Sequence, residues 1–346
     1  MANKKKQLTI RDIAKLVGVS PSTVSNALSG ERHVKEKTKQ KIFKIVKKYS
    51  YEPNIIARSL SKKKTGIIGI ILPDINNPFY SEVVKGIDEE SKRQGYLTVV
   101  VNTYYDEKIE IGQLKKLGSM FVDGYIFVGG SCSFGKIRES SESYLENFVL
   151  VNRKCKGNDF PSVVIDSKRA IRGAIDYLVE KGHRKISYVG WSSGEIIIPE
   201  SKYSGYMEGL SKNRIKLNKN IVFLADNIVL NQYKYSYDRI TDYLKNEKLG
   251  FTAILAQTDI MGLGAMRALQ DKGFNVPNSV SVVGYGNIDT SRFSNPSMTS
   301  VNLPKRKMGK VGAKILFNAI NRKSFKKEIV YLKTKIVERE STKKIK

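Results

Sequence analysis

Two histidines and two cysteines in 346 residues leave little room for metal or covalent chemistry. His33 and His183 exclude a histidine-rich metal site and supply one catalytic base at most; Cys132 and Cys155 are too few and too isolated for a disulfide framework or a thiolate site, and suit a reducing compartment. No apolar run approaches membrane-spanning length. The opening MANKKKQLTI is basic but has neither the apolar segment nor the small-residue cleavage site of an export signal. The expectation is a cytoplasmic protein with no membrane contact, cofactor or metal. Acidic residues are scarce beside basic ones, 33 against 61, and the net charge of +28 favours a polyanionic partner.

That charge is concentrated at the start. Residues 1–64 hold seventeen Lys or Arg and four Asp or Glu, the footprint of a phosphate-binding surface. Within them, LTIRDIAKLVGVSPSTVSNAL (8–28) spells two short helices. Thr9 and Asp12 form a capping box, Ile13, Ala14, Leu16 and Val17 an apolar face, and Gly18 a left-handed stop. Ser20 caps the second helix with Pro21 at its first position, and Val24, Ala27 and Leu28 face the first helix. This is a helix-turn-helix. Its outward side carries Ser22, Thr23, Ser25 and Asn26, short hydrogen-bonding groups suited to a major groove. Val34–Tyr49 adds a third helix, with Ile42, Ile45 and Val46 inward and lysines outward; Asn54–Leu60 makes about two turns with no core of its own and needs a partner to fold.

From Gly66 the pattern becomes βαβ. Apolar strands such as Ile67–Leu72, Gly124–Val128, Phe148–Val151, Ile186–Val189 and Ala253–Ala256 alternate with amphipathic helices, including one just before Phe148. Such alternation predicts parallel sheets covered by helices, and there are too many strands for one ordinary sheet, so two α/β lobes with a cleft are expected. Two other signals are set aside. Gly130–Lys136 fits GxxxxGK, but Ile137 stands where a phosphate loop needs Ser or Thr; Gly262-Leu263-Gly264 lacks the third glycine of a dinucleotide fingerprint. His183, at a helix end, reads as a structural group bonding the last carbonyls.

The stretches TIRDIAKLVGVSPSTVSNAL, YEPNIIARSL, LPDINNPFYSEVVKGI, Asp166 with GAIDYLVEKGHRKISYVG, QTDIMGLGAMRAL, SVVGYG and NPSMTSV together resemble the lactose-repressor (LacI/GalR) family of bacterial transcription regulators. The resemblance spans nearly the whole chain. It implies an all-α headpiece over 1–53, a hinge helix and linker over 54–64, and a two-lobed periplasmic-binding-protein-like core over 65–346. The first lobe takes about 65–165 and 301–329, the second about 166–300 and the C-terminal segment. It places Ile10, Arg11, Pro21, Ser22, Ser25 and Asn26 at operator bases, Thr23 and Asn54 at phosphates, and Ala57 and Leu60 in the minor groove. An apolar Leu60 on a helix without a core is a plausible wedge between base pairs.

For the cleft the resemblance points to Asp74, Phe79, Tyr80, Lys202 and Asp259. Trp191, with Phe79 and Tyr80, is a candidate to stack on a sugar or base, the alternative being a core position. Asp259 follows an apolar strand at its carboxyl end, where α/β clefts bind ligands; its other reading is an N-cap for Ile260–Leu269. Two departures bear on the effector: Lys202 stands where relatives commonly carry Arg, and Gly286-Asn287 replaces an acidic pair. The implied function is a homodimeric repressor of near-palindromic double-stranded operator DNA, controlled by a sugar, sugar derivative or purine, with a protein corepressor as the alternative regulator. The C-terminal IVERESTKKIK has no leucine heptad, which favours dimer over tetramer. Of the rivals, a solute-binding protein would lack the headpiece and an enzyme would need a general acid and base in the cleft.

Overall fold

The computed structural model describes residues 8–29, 34–49, 51, 64–130, 136, 139, 147–153, 160–191, 197–321 and 329–345. The chain divides into two compact units, Met1–Thr65 and Gly66–Lys346.

In the first unit the local hydrogen bonds of the capping box set the entry to helix Ile10–Val17. The Thr9 backbone N–H donates to Asp12 Oδ2 at 2.8 Å, and the Asp12 N–H donates to Thr9 Oγ1 at 3.3 Å. Gly18 ends the helix at φ 73, and its N–H returns to the Ala14 carbonyl at 2.9 Å. Helix Pro21–Ser29 starts with the Thr23 N–H donating to Ser20 Oγ at 3.1 Å. Glu36–Lys48 closes a core of Ile13, Ala14, Val24, Ala27 and Ile42. One expected core position is corrected. Leu16 is half exposed, because it lies roughly 200° round the helix from Ala14, and the inward stripe is instead Ile10, Ile13, Ala14 and Val17.

In the second unit the inner strands, such as IIGIIL and AILA, are apolar on both faces, as strands covered by helices on both sides must be, while edge strands are partly exposed. The strands are β1 (Ile67–Leu72), β2 (Leu97–Asn102), β3 (Gly124–Val128), β4 (Phe148–Val151), β5 (Ser162–Val164), β6 (Ile186–Trp191), β7 (Val222–Ala225), β8 (Ala253–Ala256), β9 (Ser281–Gly286), β10 (Thr299–Asn302), β11 (Ile329–Tyr331) and β12 (Lys335–Val337). They form two sheets, ordered β11-β5-β4-β3-β1-β2 and β12-β10-β9-β8-β6-β7. All pairings are parallel except β10 with β12. The chain passes between sheets after Val164, after Asn302 and after Tyr331. The second and third passages fall slightly later than the limits 301 and 329 read from the sequence, because β10 completes its pairing with β9 through Asn302↔Gly286 before leaving. The helix expected just before Phe148 lies almost wholly outside the described residues.

Helices Pro78–Arg93 and Lys305–Ile320 cross on glycine. A Cβ added at Gly86 would press into the Arg306 carbonyl, and one at Gly309 into the Val83 carbonyl, so the two backbones approach as closely as they do only because neither residue has a side chain there. Gly86→Val is expected to destabilise the core by about 1–3 kcal/mol through overpacking, read as a lower midpoint in chemical denaturation.

His183 has the structural role expected but with different partners. Its Nδ1 lies 3.0 Å from Thr252 Oγ1 and its Nε2 3.2 Å from the Lys343 carbonyl, not at the carbonyls of the helix before it. Burial lowers its pKa, so the neutral ring ties the C-terminal segment to the second lobe.

Candidate functional site

The two sheets present matching ends. In each, the strand order reverses beside its first strand, 2-1-3 in one and 7-6-8 in the other. Such a reversal splays the following loops apart and opens a crevice at the carboxyl ends of the strands. The residues after β1, β2, β3 and β4 meet those after β6, β7, β8 and β9 around a cavity of about 90 Å³.

From the first lobe come Asn77, Phe79, Tyr80, Tyr105, Gly129, Gly130 and Asn152. Asn77 caps helix Pro78–Arg93, accepting from the Phe79 N–H at 3.0 Å, and so fixes the two aromatic rings that follow; these meet edge to face at 5.2 Å between centroids. Tyr80 and Tyr105 share a hydroxyl hydrogen bond of 3.0 Å. Burial pushes both phenols up, Tyr105 to about 12, so both are neutral and can donate as well as accept. Beneath Gly129 and Gly130 lies the buried ion pair of Arg153 with Glu110, and Arg153 also donates to the Gly129 carbonyl at 3.2 Å.

From the second lobe come Trp191 at the end of β6 and Gln257, Thr258, Asp259 and Ile260 after β8. Gln232, Lys202, Tyr285 and Ile288 complete that wall. Gln257 Oε1 accepts from the Tyr188 hydroxyl at 3.0 Å and the Trp191 backbone N–H at 2.8 Å, while its Nε2, like Trp191 Nε1, is buried without a partner among the described residues. Lys202 is buried; its Nζ donates to the Gln257 carbonyl at 3.2 Å and sits 4.3 Å from the centre of the Tyr285 ring. Burial lowers the Lys202 pKa from 10.5 to about 7, against the attraction of Asp259.

Asp259 is not the cap of its helix. Thr258 is, accepting from the Met261 N–H at 3.2 Å, because a hydroxyl one residue earlier reaches the third helical N–H. The Asp259 carboxylate turns inward instead. Oδ2 accepts from the Ile288 N–H and the Ser291 hydroxyl, each at 2.7 Å, and Oδ1 from the Ser300 hydroxyl at 2.5 Å. Burial pushes its pKa up in spite of these bonds. It therefore holds the segment after β9 against β10.

Of the cleft residues read from the sequence, Phe79, Tyr80, Trp191, Lys202 and Asp259 converge on this cavity. Asp74 does not. It lines an adjoining groove with Asn76, Asn77 and Leu230, and its Oδ1 accepts from the Asn76 N–H at 2.9 Å, shaping the turn that leads into the helix. Trp191 is both things expected of it, packed in the second-lobe core and facing the cavity. Tyr105, Gln232, Gln257 and Tyr285 went unread, although Gln257 directly follows the apolar strand AILA, the position that α/β clefts use. Lys136 pairs with Glu107 at 2.8 Å, and most of the GxxxxGK stretch lies outside the described residues.

On the headpiece, Arg11, Pro21 and Ser22 are exposed, and Thr23, Ser25 and Asn26 are partly so, whereas Val24 and Ala27 are buried. Ile10 is partly buried against the headpiece core. Asn54, Ala57 and Leu60 lie outside the described residues. Among the described residues there is no candidate metal cluster, and no helix is long and apolar enough to cross a membrane.

A helix-turn-helix unit followed by a two-sheet core with a cleft at the carboxyl ends of its strands defines the class of ligand-regulated DNA-binding proteins. Residues 9–54 match the family model for bacterial regulatory proteins of the lacI family, and residues 65–340 match that for periplasmic binding proteins and the sugar binding domain of the LacI family. The chain belongs to the LacI family and is a DNA-binding transcriptional regulator with an effector-binding core. Catabolite control protein A of Priestia megaterium is 32% identical over 339 residues, covering 97% of this chain and 99% of that one. The transcriptional repressor PurR of Mannheimia succiniciproducens is 30% identical, covering 97% of this chain and 99% of that one. A crystal structure of the lac repressor dimer bound to operator and the anti-inducer ONPF shares the fold, with a TM-score of 0.84 at 22% identity over 98% of this chain and 100% of that one.

Proposed function

We propose that the protein is a homodimeric repressor of a near-palindromic operator, and that a small molecule in the cleft sets its operator affinity without being turned over. Residues 1–53 form the reading head, 54–64 the hinge and 65–346 the effector and dimer core. Arg11, Pro21, Ser22, Ser25 and Asn26, with Ile10, read bases; Thr23 and Asn54 hold phosphates; Ala57 and Leu60 enter the minor groove. Phe79, Tyr80, Trp191 and Lys202 touch the effector, and Asp259 fixes the wall behind it.

The observation that carries this reading is that the cavity is lined from both lobes. A ligand there bonds both sheets at once, so it favours one angle between them over others, and only such differential binding can shift a conformational equilibrium. The angle then sets the spacing of the two hinges in a dimer. A second copy also has somewhere to dock. The edge strand β2 exposes Leu97 and Val100, Met120 and Phe121 of the same lobe are exposed as well, and an open apolar edge of this kind calls for cover.

The operator reading is tested by selecting duplexes from a random pool and titrating them by fluorescence anisotropy at several salt concentrations. The expected result is a near-palindromic consensus and affinity that falls steeply with salt, since lysines and arginines displace counterions from phosphates. Equal affinity for selected and scrambled duplexes would remove the sequence-specific reading.

A further inference from the structure

The polar groups around the cavity are unbalanced in kind. Among the described residues, Trp191 Nε1 is a buried N–H donor with no acceptor, and Gln257 Nε2 is a second, in residues that are 6% and 0% exposed. Both line the cavity. Gln257 cannot relieve this by turning its amide over, because its oxygen is already held by the Tyr188 hydroxyl and the Trp191 backbone N–H. The Lys202 ammonium adds three N–H donors, of which the Gln257 carbonyl takes one, while the Tyr285 ring face offers attraction but no lone pair of its own.

Acceptors are correspondingly spent. Asp259, the one carboxylate lining this cavity among the described residues, already accepts three protein hydrogen bonds. The carbonyls of Gly286 and Asn287 at the cavity edge accept from Lys305 Nζ, at 2.5 and 2.8 Å. Beyond the Tyr80 and Tyr105 hydroxyls, which can accept, sugar hydroxyls in a neutral ligand would find this carboxylate and these carbonyls already taken, and a buried donor left unpaired is costly.

We propose that the effector carries an oxyanion, a carboxylate or a phosphate, and that Lys202, Trp191 Nε1 and Gln257 Nε2 receive it. This rests on the cleft being the effector site and names the chemical class of what enters. An oxyanion supplies acceptors to all three groups and the counter-charge that, among the described residues, Lys202 lacks at contact distance. Charge-assisted bonds of this kind are about twice as strong as neutral ones. Burial lowers the Lys202 pKa, and the attraction of Asp259, the charged group facing it, only partly offsets this. Phe79 and Tyr80 on the opposite wall are left to pack on the body of the ligand.

Trp191 is the single tryptophan, so indole emission reports on this cavity alone. Inorganic phosphate is titrated into the full-length protein against chloride at matched ionic strength, with glucose and glucuronate as the neutral and carboxylate arms. Saturable change of emission with phosphate or glucuronate is expected, absent with glucose, weakened roughly tenfold or more in Lys202→Gln and largely kept in Lys202→Arg. Saturation by phosphate alone assigns a phosphate ester, and by glucuronate alone a sugar acid. No saturable response to either anion, or a response that Lys202→Gln leaves unchanged, would overturn the oxyanion. If a neutral compound instead moves Trp191 emission and operator affinity together, the oxyanion fails and the cleft reading stands. If a compound moves operator affinity in wild type and leaves Trp191 untouched, the cleft reading itself fails.

Discussion

Asp259→Ala is expected to lower the stability of the core by about 3–5 kcal/mol, because it strips the acceptor from three buried donors at once. The Ile288 N–H and the Ser291 and Ser300 hydroxyls all end on this carboxylate, and Asp259 is 1% exposed. A helix cap would be worth only about 1 kcal/mol, and Thr258 holds that role, so the size of the effect separates the two readings. The effector response should go with it, since the segment after β9 that walls the cavity is held down by these bonds. Asp259→Asn should cost less. It can keep an acceptor for one side of the cluster while turning an amide N–H₂ against donors on the other. Denaturation followed by circular dichroism gives the comparison; a loss within about 1 kcal/mol for the alanine variant would mean that the cluster contributes little beyond a cap.

Lys202→Met should do the opposite and raise stability. Burying an ammonium without a carboxylate at contact distance costs folding energy, and a pKa displaced from 10.5 to about 7 puts that cost at roughly 3–5 kcal/mol. The sign with pH follows from proton counting. Between pH 7 and 10.5 the unfolded chain holds a proton on Lys202 that the folded chain has released, so wild-type stability gains from this residue as pH rises through that window. The methionine variant lacks that gain. Its advantage in melting temperature should therefore be largest at or below pH 7 and shrink toward pH 10. A variant no more stable than wild type at pH 6 would mean that Lys202 has better compensation than its contacts indicate. A residue that costs stability in the resting protein is one whose partner arrives with the ligand, which joins this prediction to the oxyanion proposed above.

What could be read from the sequence was what residues a few positions apart decide between them. Thr9 with Asp12, Gly18, and Ser20 with Pro21 fix their helix ends through bonds spanning three or four residues, and all were legible. The both-face-buried strands were legible for a similar reason, because a run such as IIGIIL or AILA has no polar face to turn outward. Leu16 was misplaced when apolarity was taken for burial without following the helix round. The inner chemistry of the cleft was another matter. Asp259 finds its partners 29, 32 and 41 residues away, after β9 and on β10, whose meeting depends on the sheet order. Lys202 was legible only through the family resemblance, since a lysine on a polar helix is ordinarily solvated and nothing local marks this one as buried. Tyr105 and Gln257 follow strand ends, and the rule that clefts form there would have found them had it been applied to every strand rather than to the one preceding Asp259.

The cleft and the reading head share one equilibrium, and reciprocity between operator and effector is its sharpest test. Operator affinity is measured by anisotropy with and without a saturating compound that shifts Trp191 emission, and the affinity of that compound is measured with and without saturating operator. Both affinities are expected to change, by the same factor and in the same direction, as linkage requires. Unchanged operator affinity when the cleft is saturated would contradict it.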